Sequence, residues 1–139
     1  MIILDTNVLS ELMRQRTDRL VTVWLDRQAE LSVWTTSINI FELRGGIEML
    51  PDSRRRSRLE TAFERLIDED FHRRVVSFDT AAAEQAAKLM AARQRAGRPG
   101  ELRDTMIAGI VLANHATLAT RNTRHFADLS VPMANPWGE

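Results

Sequence analysis

The sequence predicts an α/β domain with a mostly parallel central sheet flanked by helices. Short apolar runs at 2–4, 31–34, 74–78 and 117–119 contain the β-branched residues Ile2, Ile3, Val33, Val75 and Val76. Such runs read as strands buried on both faces, because a strand covered on one face alternates apolar with polar residues. Between them lie longer segments whose apolar residues recur at steps of three and four, the helical period. Strands alternating with helices are the pattern of βαβ units.

The elements follow in order. Ile2 to Leu4 form the first strand, which meets Asp5, Thr6 and Asn7 without a spacer, and a helix is expected over 7–14. A second helix spans 18–28, ahead of the strand at 31–34 and a third helix at 37–49. After Pro51, Asp52 or Ser53 caps a helix over 53–69, in which Leu59, Ala62, Phe63, Leu66 and Ile67 make one stripe. Asp79 caps the helix after the strand at 74–78, and Gly97 ends it as a residue suited to the left-handed C′ position. Gly97, Arg98, Pro99 and Gly100 mark a mobile loop rather than a domain linker. A helix over 104–115 leads to the strand at 117–119, with a last short strand near 131–133.

A length of 139 residues suits one domain over 1–139, since domains typically hold about 100–150 residues. No cysteine is present, which excludes disulfides and thiolate zinc sites and suits a reducing cytoplasm. The apolar start is far shorter than the roughly 7–15 residues of a signal-peptide core or the roughly 20 of a membrane span. The chain therefore reads as cytoplasmic, with no membrane segment. Its 19 basic and 19 acidic residues cancel, so bulk charge gives no argument for a polyanion. Arginine is nevertheless clustered. Arg54, Arg55, Arg56 and Arg58 read as a solvated helix face, whereas Arg93, Arg95, Arg98 and Arg103, and then Arg121 and Arg124, flank acidic or polar positions where a phosphate backbone could be held.

Four positions invite chemistry. In open parallel sheets ligands bind beyond the carboxyl ends of the strands, and Asp5 occupies such an end; capping of the next helix by Asp5 or Thr6 is the competing reading. In "TSINIFELRGG", Glu42 shares a face with Ile38, Gly45 and Met49, with Gly46 alongside, and the glycines there suggest close approach of another backbone. An Asn39–Glu42 capping box or a solvated glutamate would explain the same residue differently. Asp104 heads the stripe Ile107, Ala108 and Val111, unless it is simply the helix N-cap. Asn122 lies just beyond the strand at 117–119, where a turn role competes. The three histidines, His72, His115 and His125, lack metal-ligand spacing and read as packing or surface residues.

Taken jointly these positions favour a cation. Carboxylates within about 4 Å of one another repel by several kcal/mol at intermediate dielectric, so a shared site raises their pKa values unless a cation neutralises it. Oxygen ligands without imidazole or thiolate suit Mg²⁺ or Mn²⁺.

At this point the sequence resembles the PIN-domain ribonucleases, and within them the VapC-type toxins of bacterial toxin–antitoxin pairs. The resemblance covers essentially the whole length and rests on "ILDTNVLSEL", "INIFELRGGI", "RDTMIAGIVLANHATLATRNTRHF" and the ending "ANPWG" in this order. It implies a PIN-like three-layer fold, with Asp5, Glu42 and Asp104 as an acidic triad holding Mg²⁺ or Mn²⁺. Thr6, Asn7 and Thr120 would orient the carboxylates. The family often carries a fourth acid where this sequence has Asn122, a departure that removes one negative charge and bears on whether a second metal binds. The implied reaction is hydrolysis of RNA phosphodiesters by an activated water, with Glu42 or Asp104 as candidate proton acceptors and Arg44, Arg103, Arg121 and Arg124 as candidate grips on the RNA backbone.

The resemblance also implies a cognate antitoxin protein that packs on the toxin and covers the acidic site, with DNA contacted only through that partner, and a homodimer. The apolar residues Leu9, Leu12, Met13 and Met49 mark candidate docking faces, with core packing as the competing reading for most of them. Two other readings compete with a toxin nuclease. One is a PIN-like module with weak or no nuclease activity that acts by protein or RNA binding. The other is a phosphatase using Asp5 as nucleophile, a chemistry that wants a second acid two residues later, where this chain has Asn7.

Overall fold

The computed structural model describes residues 1–138. Its strands are β1 (Ile2–Leu4), β2 (Val33–Thr36), β3 (Val75–Val76), β4 (Thr117–Ala119) and β5 (Met133–Ala134). They form one sheet in the order β3-β2-β1-β4-β5, and each adjacent pair is parallel. Helices α1 (Thr6–Leu12) and α2 (Arg19–Asp26) link β1 to β2. Helices α3 (Ser37–Glu48) and α4 (Arg54–Arg65) link β2 to β3, and α5 (Thr80–Arg95) and α6 (Leu102–Ala113) link β3 to β4. The predicted parallel α/β architecture is thus observed.

The sheet is covered on both faces, which explains the unbroken apolar runs. Ile3 and Leu118 point into a core shared with Ala82, Ile107, Val111 and Phe126, on the side of α5 and α6. Leu4 and Ala119 point the other way, onto Val8, Leu9, Val21 and Phe71. Successive residues of one strand thereby serve opposite cores, as a period of two requires.

Several boundaries moved for local reasons. Glu30–Ser32 form a 3₁₀ turn, so β2 begins at Val33 and runs to Thr36. The helix expected over 53–69 ends as α4 at Arg65 and continues as a π-helical turn, Leu66–Asp70. Ser53 caps α4 by accepting from the Arg56 N–H. Asp79 caps α5, and Gly97, at φ +69°, follows its C-cap as expected. The glycine expectation fails, however. A Cβ at Gly45 or Gly46 would meet nothing within 4 Å, whereas at Gly109 it would lie 2.5 Å from the Ala82 carbonyl oxygen and 2.7 Å from the Ala86 Cβ. The close backbone approach is between α5 and α6.

The docking residues divide as well. Leu9 is fully buried in the core, and Leu12 and Met13 pack partly against it, so these three are not a free face. Met49 is 82% exposed, which also removes it from the buried face of α3.

Candidate metal centre at the carboxyl edge of the sheet

From β1 the chain builds outward through β2 to β3, then returns to place β4 on the opposite side of β1. That reversal opens a crevice beyond the carboxyl ends of β1 and β4, the preferred ligand position in such sheets. Asp5 and Thr120 follow these two strands directly.

Asp5 is nearly buried, at 5% exposure, and both carboxylate oxygens are fixed. Oδ1 accepts from the Thr6 N–H at 2.8 Å and Oδ2 from the Thr120 hydroxyl at 2.8 Å. Asp5 is therefore the N-cap of α1 while it also faces the crevice. Burial pushes its carboxyl above the ordinary range; the two hydrogen bonds oppose this, and the Asp104 charge adds to it.

Thr6 does not cap the helix. Its hydroxyl donates to Glu42 Oε1 at 2.9 Å and accepts from the Asn39 amide at 2.8 Å. Asn39 is completely buried and belongs to a capping box with Thr36, not with Glu42. Glu42 is consequently free of capping duty. Burial raises its pKa, the Thr6 hydroxyl and Arg103 lower it, and Asp5 and Asp104 raise it further.

Asp104 is the third residue of α6 rather than its cap. The N-cap is Glu101, whose carboxylate accepts from the Asp104 N–H at 3.1 Å. The Asp104 carboxyl is thereby left to the crevice, with its pKa raised first by burial and then by the Glu101 charge; His125 and Arg93 oppose both. His125 Nδ1 lies 3.5 Å from Asp104 Oδ2, so this histidine stands beside the acids despite its lack of ligand spacing.

The supporting residues form a chain. The Thr120 hydroxyl accepts from the Asn122 N–H at 3.0 Å and from the Asn7 amide at 3.4 Å, and Asn7 Oδ1 accepts from the Arg121 N–H at 3.3 Å. Asn122 itself is exposed and makes no side-chain cap to the 3₁₀ turn Thr123–Phe126. Of the four arginines, Arg103 reaches the site, with Nε 3.9 Å from Glu42 Oε2 and 3.1 Å from Glu101 Oε1. Arg44 pairs with Glu48 at 2.6 Å, and the Arg121 guanidinium lies 4.7 Å from the centre of the Trp137 ring. Arg124 is exposed.

Arg93 departs from the phosphate-holding reading of its cluster. Nearly buried, it donates to Asp128 from Nε at 2.8 Å and from Nη2 at 2.9 Å, to Thr105 Oγ1 at 3.0 Å and to the His125 carbonyl at 3.1 Å. One guanidinium thus ties α5 to the start of α6 and to the loop carrying Asn122 and His125. It is unavailable to a phosphate backbone. Sequence reasoning missed it because nothing local distinguishes Arg93 from Arg95; the acid it pairs with is 35 residues away.

Does this arrangement suit a divalent cation? Among the described residues no three His, Cys, Asp or Glu side chains already enclose a metal position. Nor is any fully buried side-chain polar atom among them left without a hydrogen bond. The demand is instead one of charge. Burial raises the pKa of Asp5, Glu42 and Asp104 alike, the Asp104 charge adds to the rise at Asp5 and Glu42, and the one arginine paired with any of the three, Arg103, stands 3.9 Å from Glu42. Mg²⁺ commonly binds through only one or two carboxylates and keeps several waters, so a closed protein cage is not required. An all-oxygen donor set of this kind fits that hard cation.

These features define a class: an open parallel α/β domain with an oxygen-only acidic centre where its strand order reverses. The PIN domain model matches residues 2–131, so the chain belongs to the PIN domain family. Relatives include plasmid stability protein StbB of Pseudomonas syringae pv. tomato, 39% identical over 99% of both chains. VapC ribonuclease Y4jK of Sinorhizobium fredii is 34% identical over 99% of this chain and 98% of its own, and toxin FitB of Neisseria gonorrhoeae 32% over 99% of both. Among solved structures, FitAB bound to an IR36 DNA fragment matches with a TM-score of 0.88 and 31% identity, over all of this chain and 97% of the other.

Proposed function

We propose that this chain, acting as one domain over 1–139, is the toxin of a type II toxin–antitoxin pair and a metal-dependent endoribonuclease. The observation that carries the reading is the Asp5 carboxylate, fixed at the strand-order reversal and coupled to Asp104, with Glu42 held beside it through Thr6. Relatives named as a VapC ribonuclease and as a toxin support it. Asp5 and Asp104 would hold Mg²⁺ or Mn²⁺, with Glu42 and Asn122 at its margin. When bound, the cation would neutralise the scissile phosphate and activate water for in-line attack.

The remaining work falls to the protein's own groups. Thr120 and the Thr6 N–H fix the Asp5 oxygens, and the Thr6 hydroxyl holds Glu42, which with Asp104 is a candidate to accept a proton from water. Thr120 is itself oriented by Asn7 and the Asn122 N–H. Arg103, beside Glu42, is placed to meet RNA phosphate, and Arg44, Arg121 and Arg124 are further candidates. A cognate antitoxin would silence the enzyme by covering this centre, with DNA contacted only through the partner. Support comes from the likeness to FitAB, which was solved on DNA. A homodimer and a cytoplasmic setting accompany this reading; among the described residues no helix is long and apolar enough to cross a membrane.

The test is cleavage of single-stranded RNA by purified protein with Mg²⁺ or Mn²⁺, comparing wild type with Asp5→Asn and Asp104→Asn. Loss of activity in both variants and in EDTA is expected. Cleavage that survives both substitutions, or excess EDTA, would overturn the metal-nuclease assignment; RNA binding without cleavage by wild type would favour the binding module.

A further inference from the structure

A groove of about 960 Å³ leads away from the acidic centre between α1, α3 and α4. Thr6 and Glu42 stand at its inner end, and its walls carry Arg14, Arg16, Arg55, Arg58 and Arg103. Glu42 is the only acid among the residues that line it. Arg14 is paired with Glu11 and Arg103 with Glu101, which leaves Arg16, Arg55 and Arg58 as the positive excess along the walls.

The arginine run at the start of α4 divides by role. Arg56 is tied down: its guanidinium bonds Glu60 at 2.9 Å, Glu48 at 2.9 Å and the Leu50 carbonyl at 3.1 Å, pinning α4 to the end of α3. Arg55 and Arg58 are three residues apart, so they share the helix face that looks into the groove. Across from them Arg16 follows the end of α1. Among the described residues, Arg16, Arg55 and Arg58 form no ion pair with any carboxylate. Three free guanidinium groups facing one groove repel one another unless an anion lies between them. The floor beneath them is apolar: Leu43 and Leu59 are half-buried and pack over the buried Ile47.

We propose that this groove is the track of a single-stranded RNA leading into the acidic centre, with Arg16, Arg55 and Arg58 holding its phosphates. The inference rests on the nuclease reading and extends it to residues remote from the acids. A flexible polyanion suits a groove whose walls carry unpaired arginines, because a positively charged groove that tracks the backbone is what holds single strands. The groove opens onto Glu42 at its inner end, so a strand held by the three arginines is fed to the scissile position.

The experiment compares wild type with Arg16→Gln/Arg55→Gln/Arg58→Gln, and with Arg19→Gln/Arg27→Gln/Lys88→Gln as a control of equal charge loss outside the groove. Circular dichroism and melting temperature confirm that each folds. Two readouts are taken across a salt series with a fluorescent 12-nucleotide RNA: the KM and kcat of metal-dependent cleavage, and anisotropy binding to Asp5→Asn protein carrying each set. The groove variant is expected to raise KM on the order of tenfold, with kcat within about twofold. Its log Kd against log salt slope should fall by about 2, as loss of three contacts to a single strand dictates. The control should change neither beyond a small uniform shift. If wild type cleaves and the groove variant keeps its KM and salt slope, the track is overturned while the nuclease reading stands. If wild type does not cleave at all, the nuclease reading fails, and the anisotropy slopes alone decide whether RNA uses the groove. Displacement of RNA-independent binding of a glutamate-rich peptide by the same substitutions, with RNA slopes unchanged, would assign the groove to an acidic protein segment and overturn the proposal.

Discussion

Replacing Arg93 by methionine should loosen the site from behind. The side chain is 6% exposed and donates four hydrogen bonds, two of them to Asp128. Breaking a fully buried ion pair costs about 3–5 kcal/mol, mostly because the surviving charge is stranded. Here Asp128 is 47% exposed and rehydrates when orphaned, so roughly half of that cost is avoided. Thr105 keeps a role through its bond to the Glu101 carbonyl, whereas the His125 carbonyl loses this donor. A loss of about 2–3 kcal/mol results. With about 2.1 cal/mol/K of unfolding entropy per residue, the melting temperature drops by about 7–10 °C. Urea titration at pH 7 measures the first quantity and calorimetry the second. Arg93→Lys should recover only part of the loss, because an ammonium keeps the charge but not the planar fork. The pH dependence has a definite sign. Arg93 holds the Asp128 carboxyl below its ordinary value, so the stabilisation is present above the unfolded-state pKa and fades as pH falls through the folded one. A melting temperature within about 2 °C of wild type, or additivity with Asp128→Ala in a double-mutant cycle, would refute this reasoning.

Three further outcomes are expected. Asp5, Glu42 and Asp104 all have raised pKa values, so their contribution favours folding at low pH and is lost as pH rises through the folded values. The metal-free protein should therefore gain thermal stability as pH falls from neutrality towards the ordinary carboxylate range; Mg²⁺ at ten times its Kd should add about 1.4 kcal/mol at neutrality, or about 5 °C, and less once the carboxyls are protonated. A Mg²⁺ shift that does not shrink as pH falls would speak against carboxylate ligation. Gly109→Ala forces a methyl onto the Ala82 carbonyl and should cost about 1–3 kcal/mol, whereas Gly46→Ala meets nothing and should stabilise α3 by about 0.5–1 kcal/mol; matching melting shifts would contradict the packing. Thr6→Val leaves the buried Asn39 amide without its acceptor, at about 1–3 kcal/mol, and removes a bond that lowers the Glu42 pKa. The acid limb of metal-dependent cleavage should move to higher pH, and an unmoved limb would exclude Glu42 from the ionisation.

The parts of this molecule that sequence reveals are those governed by local periodicity. The strand runs and helical stripes order the elements correctly, because burial on two faces, or on one stripe, leaves a mark every two or every three to four residues. Asp5 and Thr120 could be found for the same reason: each follows a recognisable strand. Relations across the sequence are not marked. Gly109 resembles Gly45 and Gly46 until α5 is laid against it, and Arg93 resembles Arg95 until Asp128 arrives. His125 lacks any spacing signal because its relation to Asp104 is made by two separate elements. The competing Asn39–Glu42 box has the same three-residue spacing as the Thr36–Asn39 box that forms, so spacing alone does not separate the two.

The hydrogen bond from Thr120 to Asp5 spans 115 residues of chain. Synthesis delivers the amino-terminal end first, at about 5–20 residues per second, so β1 emerges many seconds before the strand that flanks it in the sheet. Until then one edge of the central strand is open, and Asp5 lacks the hydroxyl that fixes its second oxygen. Contacts this far apart also carry a high loop-closure cost and form late in folding. A nascent or truncated chain can thus hold every helix from α1 to α5 and still have no assembled acidic centre. Assembly of the centre thus waits for the last quarter of the chain, which supplies both Asp104 and the Thr120 hydroxyl.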